Sequence, residues 1–379
     1  MKILVVGAGV SGMVFSIVYK REHPKDEVVI IERMDRPLKK LYATGNGKCN
    51  FGNTKIDSRD YFNSEFVKTV LGNNIYADEE SFLNSLGIKI KTIGQLAYPI
   101  SESAETVVNA LIKEAKRNAV KILCNTSLID YDVDKKDKKA ITSAREIICD
   151  KLVFACGGRS SPKLGSDGSV YPILEKHSYQ IKNLKPALCP IFTKEKTDVL
   201  NGVRIKAGVK VHTKDKREIF DESGEVLFKD HGLSGIVIFN ASRSIAHSPN
   251  EKVTISLDLL PEISLEELKE YCNKNGEQAL LDAYIHPKMI SYIKSLKNIA
   301  MIDAIKNMIF NYDKPYGYDF SQISVGGVNI SEVDDSLQSR REDDVYFLGE
   351  ILDVDAPCGG FNLTWAIMSA KKCAEKISR

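Results

Sequence analysis

The sequence predicts an α/β protein, and three observations predict it. The chain opens with an apolar strand, a glycine turn and a helix; strand signals dominate from about residue 187 to 260; and a helical period from Ser264 gives way to strands again after Pro315. Residues 1 to about 186 alternate strands with helices, as in a nucleotide-binding α/β unit.

In order along the chain, Lys2–Val6 is an apolar run that ends in Gly7-Ala8-Gly9-Val10-Ser11-Gly12. A strand, a GxGxxG turn and a helix start together form a phosphate cradle. The glycines let backbone approach closely, and the helix presents free N–H groups with a partial positive charge. Glu32 closes the next apolar strand, Glu27–Ile31, about twenty residues beyond Gly12. A carboxylate there accepts both hydroxyls of a ribose without a 2′-phosphate, so a dinucleotide is expected.

Ala104 to Asn118 carries apolar residues at helical spacing, and Val120 to Leu123 reads as the following strand. Farther on, Val203–His212 and Arg217–Phe220 read as strands, Glu222-Ser223-Gly224-Glu225 as a turn, and Ser234–Ala246 as a helix. Ser264 with Glu267 forms a capping box, and breaks at Asn273–Gly276 and His286-Pro287 divide the stretch to about Tyr312 into three helices. An amphipathic helix from about Asn362 to Ile377 ends the chain.

Composition narrows the function classes. The 379 residues exceed what one core serves, and 53 Lys and Arg against 51 Asp and Glu give a net charge of +2. Such a balance predicts neither a nucleic-acid nor a membrane partner and weighs against an RNA-modifying enzyme. The basic run Asp134–Lys139 carries its own acids and reads as a solvated hairpin tip. With a strand beginning at Ile3 and no apolar run near the ~18 residues of a membrane span, the expected location is cytoplasmic. The eight cysteines include no CxxC, which argues against a zinc site and a dithiol relay. No signal of oligomeric state is present.

Four further segments bear on the ligand. Leu41 to Asn50 is a polar glycine loop whose amides, with Asn46 and Asn50, can line a pyrophosphate and a flavin edge; a flexible surface loop is the alternative. Leu152 to Gly158 is a buried strand in which Ala155, Gly157 and Gly158 allow close backbone passage. Ile323 to Val328 carries paired glycines that either approach the cofactor or form a simple bulge. Val345 to Asp353 ends a strand in Gly349-Glu350 and is followed by Cys358-Gly359-Gly360-Phe361-Asn362-Leu363 at a helix start. An acidic strand end suits ribityl hydroxyls, and helix-start amides suit the flavin edge that gains negative charge on reduction. This favours FAD over NAD as the tightly held cofactor.

The segments LYATGNGKCN, FACGGRSSPKLGSDG, ISVGGV and FLGEILDVDAPCGGFNLTWA resemble those of the bacterial NAD(P)/FAD-dependent oxidoreductases that include a bile-acid reductase and aminoacetone oxidase. The likeness runs from Lys2 to the last helix. It implies a Rossmann-like FAD domain of the glutathione-reductase and fumarate-reductase kind, formed by 1–186 and 316–379. A β-rich substrate domain (187–262) and a helical insert (263–315) complete it. By that pattern Gly7, Gly9, Gly12 and Glu32 hold the ADP half, and Lys40, Gly45, Asn46, Gly47, Cys49 and Asn50 run toward the flavin, with Arg33 and Lys48 as further cofactor-binding candidates. Gly349, Glu350, Gly360, Asn362 and Leu363 hold the ribityl chain and ring. This chain departs from the pattern at Lys48 and Gln95, where the family carries Arg, and at Ile236, where it carries Pro.

No obligatory catalytic acid is visible, since flavin chemistry resides largely in the cofactor. His231, in the inserted β domain, is the first candidate, with Tyr98 and Arg159 behind it; a structural histidine is the alternative. With a single GxGxxG, NAD(P)H would dock only transiently as electron donor. The expected activity is hydride transfer between a small organic molecule or NAD(P)H and flavin N5. An aminoacetone-type oxidase and a non-catalytic flavin sensor are the alternatives.

Overall fold

The computed structural model describes residues 1–133, 137–248, 252–296 and 299–377. The chain divides into two compact units, Met1–Lys185 with Ile323–Arg379, and Pro186–Gln322.

The first unit is organised on a five-stranded parallel sheet in the order Val345–Phe347, Lys151–Phe154, Lys2–Val6, Glu27–Ile31, Lys121–Leu123. Its central strand pairs Val5 with Val153 on one side and Ile30 on the other. Ile3, Leu4 and Val5 are fully buried, as expected of a parallel strand covered on both faces, which explains why the run is apolar without alternation. The first helix, Val10–Glu22, is buried from Ser11 to Lys20 and packs against the last helix, Phe361–Ile377. An antiparallel meander of Leu128–Val133, Lys138–Thr142 and Glu146–Cys149 adjoins the sheet. Of the hairpin tip expected at Asp134–Lys139, residues 134–136 lie outside the described residues. Lys138 is already in the strand and buried.

The second unit is a closed antiparallel barrel of Ile191–Thr193, Gly232–Ser234, Glu218–Lys229, Arg204–Thr213, Val253–Asp258 and Met308–Pro315. Val209, Val211, Phe228, Ile255, Leu257 and Phe310 fill its interior. The helix Ile236–His247 and the helices Leu265–Asn275, Glu277–Tyr284, Pro287–Ser295 and Met301–Lys306 pack on the same apolar core. The capping box at Ser264 and Glu267 forms as expected.

Three local expectations are corrected. The turn placed at Glu222–Glu225 is the middle of a strand: Gly224 pairs with Ala207, and its missing side chain makes room for Val237 of the overlying helix. The reversal lies instead at Thr213–Arg217, where Lys216 takes a left-handed φ of 62°. The helical stretch ends at Lys306 rather than about Tyr312, because buried Met308 and Phe310 alternate with exposed Ile309 in the strand that closes the barrel. Four helices rather than three precede that strand among the described residues.

A Cβ at Gly232 would overlap the Ile191 carbonyl oxygen across the ladder between their strands. Gly232→Ala should therefore destabilise the chain by about 1–3 kcal/mol in thermal or denaturant unfolding. An unchanged midpoint would contradict this pairing.

Candidate functional site

The glycine turn after the first strand is built by backbone crossing. Gly7 has φ 106°, a region closed to side chains, and a Cβ there would lie 2.5 Å from the Ala155 carbonyl oxygen of the neighbouring strand. A Cβ on Gly12 would overlap the Gly7 carbonyl oxygen, so the helix can start this close to the strand only with glycine at 12. Gly9 is different: its nearest atom would be 4.0 Å away, so nothing in the chain requires a glycine there. The helix N-terminus beside it has no side-chain cap. Free first-turn amides and an open glycine surface fit a pyrophosphate.

Glu32 reaches this turn from the end of its strand and is nearly buried. Its Oε2 accepts from the Ala8 amide and its Oε1 from the Met34 amide, both at 2.8 Å. Each oxygen keeps a lone-pair direction, which suits a ribose diol. Arg33, by contrast, is paired with Asp167 and also approaches Ser169.

A second cluster joins the two ends of the first unit. Lys40 donates to Glu350 Oε2 at 2.7 Å and to Ser160. Glu350 Oε1 accepts from Ser160 Oγ and from the Ser324 amide, each at 3.0 Å. Gly158 passes so near that a Cβ would lie 2.9 Å from Glu350 Oε1. Gly349 abuts Ser11 of the first helix, and its carbonyl accepts from the Trp365 indole at 3.0 Å. Gly7, Gly9, Gly12, Glu32, Ala155, Lys40, Gly158, Gly349 and Glu350 thus lie on one framework at the C-terminal ends of the strands. Ser11, Ser160 and Ser324 escaped the sequence analysis; only the placement of Ser160 in Gly157-Gly158-Arg159-Ser160 hinted at it.

The loop from Gly45 is strained. Gly45, Asn46, Gly47 and Cys49 have φ of 55°, 54°, 83° and 57°. A left-handed non-glycine residue costs about 1–3 kcal/mol, and the αR–αL succession at Lys48 and Cys49 is the backbone pattern of the concave nests that bind anions. The buried Cys49 thiol is pushed up to about 12 by burial, so it is neutral and no nucleophile. Asn50 ties the loop down: its amide nitrogen donates to the Gly52 and Ala97 carbonyls at 2.9 and 3.2 Å, and its oxygen accepts from the Gly360 amide at 3.2 Å. A Cβ on Gly360 would lie 2.5 Å from the Gly52 carbonyl oxygen, so loop and helix start are in backbone contact.

Two expected ligands are also engaged within the protein. Lys48 is half-exposed and paired with Glu102 at 2.9 Å. Asn362 accepts from the Ala356 amide at 2.9 Å and donates to the Ala356 carbonyl at 2.8 Å, holding the 356–357 turn. Leu363 donates its amide to the Gly360 carbonyl in the first turn of the last helix. Gly326 and Gly327 are closed in by the backbone of Asn183 and Ile351. His231 lies in the second unit, exposed on the turn between two barrel strands, with its carbonyl accepting from the Thr193 amide. Among the described residues no group of His, Cys, Asp and Glu is arranged for a metal, and no helix is long and apolar enough to cross a membrane.

Glu32→Ala removes an acceptor of two charge-assisted hydrogen bonds and the proposed ribose contact. It should weaken FAD retention about tenfold to a hundredfold, read by fluorescence titration of the FAD-free protein. Equal retention would remove Glu32 from the site.

Comparison with known proteins bears on the family and the fold. The family model described as the HI0933-like protein Rossmann domain matches residues 1–376. The 3-dehydro-bile acid delta(4,6)-reductase of Clostridium scindens is 30% identical, with 96% of each chain covered. The ribosomal RNA dihydrouridine synthase of Escherichia coli K12 is 28% identical, covering 99% of this chain and 97% of that protein. Among solved structures, a flavocytochrome c3 fumarate reductase in its open conformation shares the fold, with a TM-score of 0.56 at 13% identity, covering all of this chain and 78% of that one. The family match over residues 1–376 and the 30% identical relative place the chain in the HI0933-like Rossmann-domain family.

Proposed function

We propose that the protein reduces a carbon–carbon double bond conjugated to a carbonyl group, with NAD(P)H as a transient electron donor. One observation carries this reading. Two relatives aligned over nearly the whole chain are named for unlike substrates, a 3-oxo bile acid and a uridine in ribosomal RNA, yet both names describe saturation of a carbonyl-conjugated double bond. The shared feature is the bond rather than the molecule that carries it.

When bound, the flavin supplies the hydride such a reduction needs at the β carbon. The chain's own residues do the rest. Gly7, Gly9, Gly12 and the first helix start hold the pyrophosphate, Glu32 the adenosine ribose, and the amides of the Gly45–Asn50 loop the inner half of the cofactor. Lys40 and Ser160 orient Glu350 toward the ribityl hydroxyls. The N-terminus of the last helix, through Leu363 and its neighbours, offers positive potential where negative charge gathers on reduction. Saturation also requires a proton at the α carbon, for which His231 is the proposed donor.

A small-molecule substrate suits the near-neutral charge, while the synthase relative favours a uridine-bearing RNA as a second reading. The test is anaerobic: FAD-loaded protein is reduced with NADPH, then mixed in turn with a 3-oxo-4-ene steroid, a uridine-containing ribosomal RNA fragment and aminoacetone. Return of the oxidised flavin band with loss of the conjugated double bond supports the proposal and selects the substrate class. Reoxidation by oxygen alone, with aminoacetone reducing the oxidised protein, would replace the reading with an oxidase. A flavin that no donor reduces would leave a sensor. His231→Asn should slow turnover at least tenfold without changing FAD retention; unchanged turnover removes it as donor.

A further inference from the structure

Glu79 is a carboxyl group for which the reading above has no use. It sits on the helix Ile75–Ser85 with no exposed surface, and among the described residues no cation pairs with it. Lys372 of the last helix is committed to the adjacent Asp78 at 2.7 Å. Tyr61, Tyr76 and Cys49 are the titratable groups around Glu79, and burial holds all three above their ordinary values. Glu80, next on the same helix, approaches the Tyr76 hydroxyl at 3.5 Å.

The decisive geometry is at Thr364, one turn into the last helix. Its Oγ1 lies 2.8 Å from Glu79 Oε2 and 3.2 Å from the Phe51 carbonyl oxygen. A hydroxyl has one hydrogen and cannot donate to both acceptors. If Glu79 were ionised, one of these contacts would set two acceptors against each other around a buried, unpaired charge, and such a group takes up a proton instead. Glu79 Oε1 has no partner, which a carbonyl oxygen tolerates better than a carboxylate.

We propose that Glu79 is a protonated carboxylic acid that donates to Thr364, so that Thr364 donates to the Phe51 carbonyl. This relay positions the end of the glycine loop against the start of the last helix. The site it acts on is one residue away: a Cβ on Gly52 would lie 2.7 Å from Glu79 Oε2, and the Gly52 carbonyl receives Asn50 and abuts Gly360. Burial raises the Glu79 pKa well above the ordinary carboxylate range, in agreement. Glu79 is thus a positioning residue, acting on the cofactor through Thr364 and Gly52. The protonation stands on geometry alone; the effect on FAD rests on the cofactor reading above.

Infrared difference spectra of the FAD-free full chain, wild type against Glu79→Gln at neutral pH, should show the C=O stretch of a protonated acid in the wild type, shifted in D2O. A carboxylate signature in its place overturns the protonation. The folded state keeps a proton that the unfolded chain releases above the ordinary Glu pKa of about 4.3. Wild-type stability therefore falls relative to Glu79→Gln as pH rises from about 5 to 8. A difference that is constant, or that moves the other way, also overturns it.

For positioning, Thr364→Val should raise the FAD dissociation constant about tenfold, and Thr364→Ser should restore it. Retention in Thr364→Val equal to wild type overturns the positioning role alone. Failure of the wild type to bind FAD at all overturns the cofactor reading and the positioning with it, while the infrared spectrum still decides the proton.

Discussion

The first unit depends on one steric fact: the Gly7 carbonyl oxygen occupies the space where residue 12 would carry a Cβ. That crossing fixes how near the first helix starts to the central strand. From it follow the approach of Ser11 to Gly349, the contact of Gly7 with Ala155, and the arrival of Glu32 at the Ala8 amide. A methyl group at position 12 would push the helix away from the strand and open all three contacts together. The helix could still form, since its burial is apolar, but its N-terminus would no longer share a site with the strand ends.

The second organising interaction is long-range. Lys40 and Glu350 are joined across 310 residues, and Asn50 with Gly360 across a similar interval. Neither pair lies on a loop of its own making. Ser160 and Ser324 hold Glu350 from two other segments, so three separate stretches of chain converge on one carboxylate. Such convergence restricts the orientation of Glu350 far more than any single ion pair at a half-exposed site would.

The parts of this site legible in the sequence are those whose chemistry is local. The capping box lies within one helical turn, and the glycine turn and the acid at the end of the second strand fall within one strand–helix–strand unit. What sequence reading missed depends on distant neighbours. Lys48 has the residue type of a ligand, and Glu102, which pairs with it, lies outside its own segment. Glu222–Glu225 has the composition of a turn, and the helix lying over Gly224 keeps it in a strand. Met308 and Phe310 fall within a helical period only until the barrel they close is known. Glu79 and Thr364 lie 285 residues apart, and only their meeting reveals that one of them carries a proton.

The division of the first unit between residues 1–185 and 323–379 sets an order of events at the ribosome. The central strand and its glycine turn emerge early, but the strand that flanks Lys151–Phe154 and the helix that carries Thr364 emerge last. At about 5–20 residues per second, the first half waits on the order of ten seconds or more for its completion. Meanwhile the second unit, contiguous in sequence, can close its own barrel. An edge of parallel strand with exposed backbone therefore persists through synthesis, and the nascent chain is exposed to mispairing at Lys151–Phe154 until its last sixty or so residues arrive.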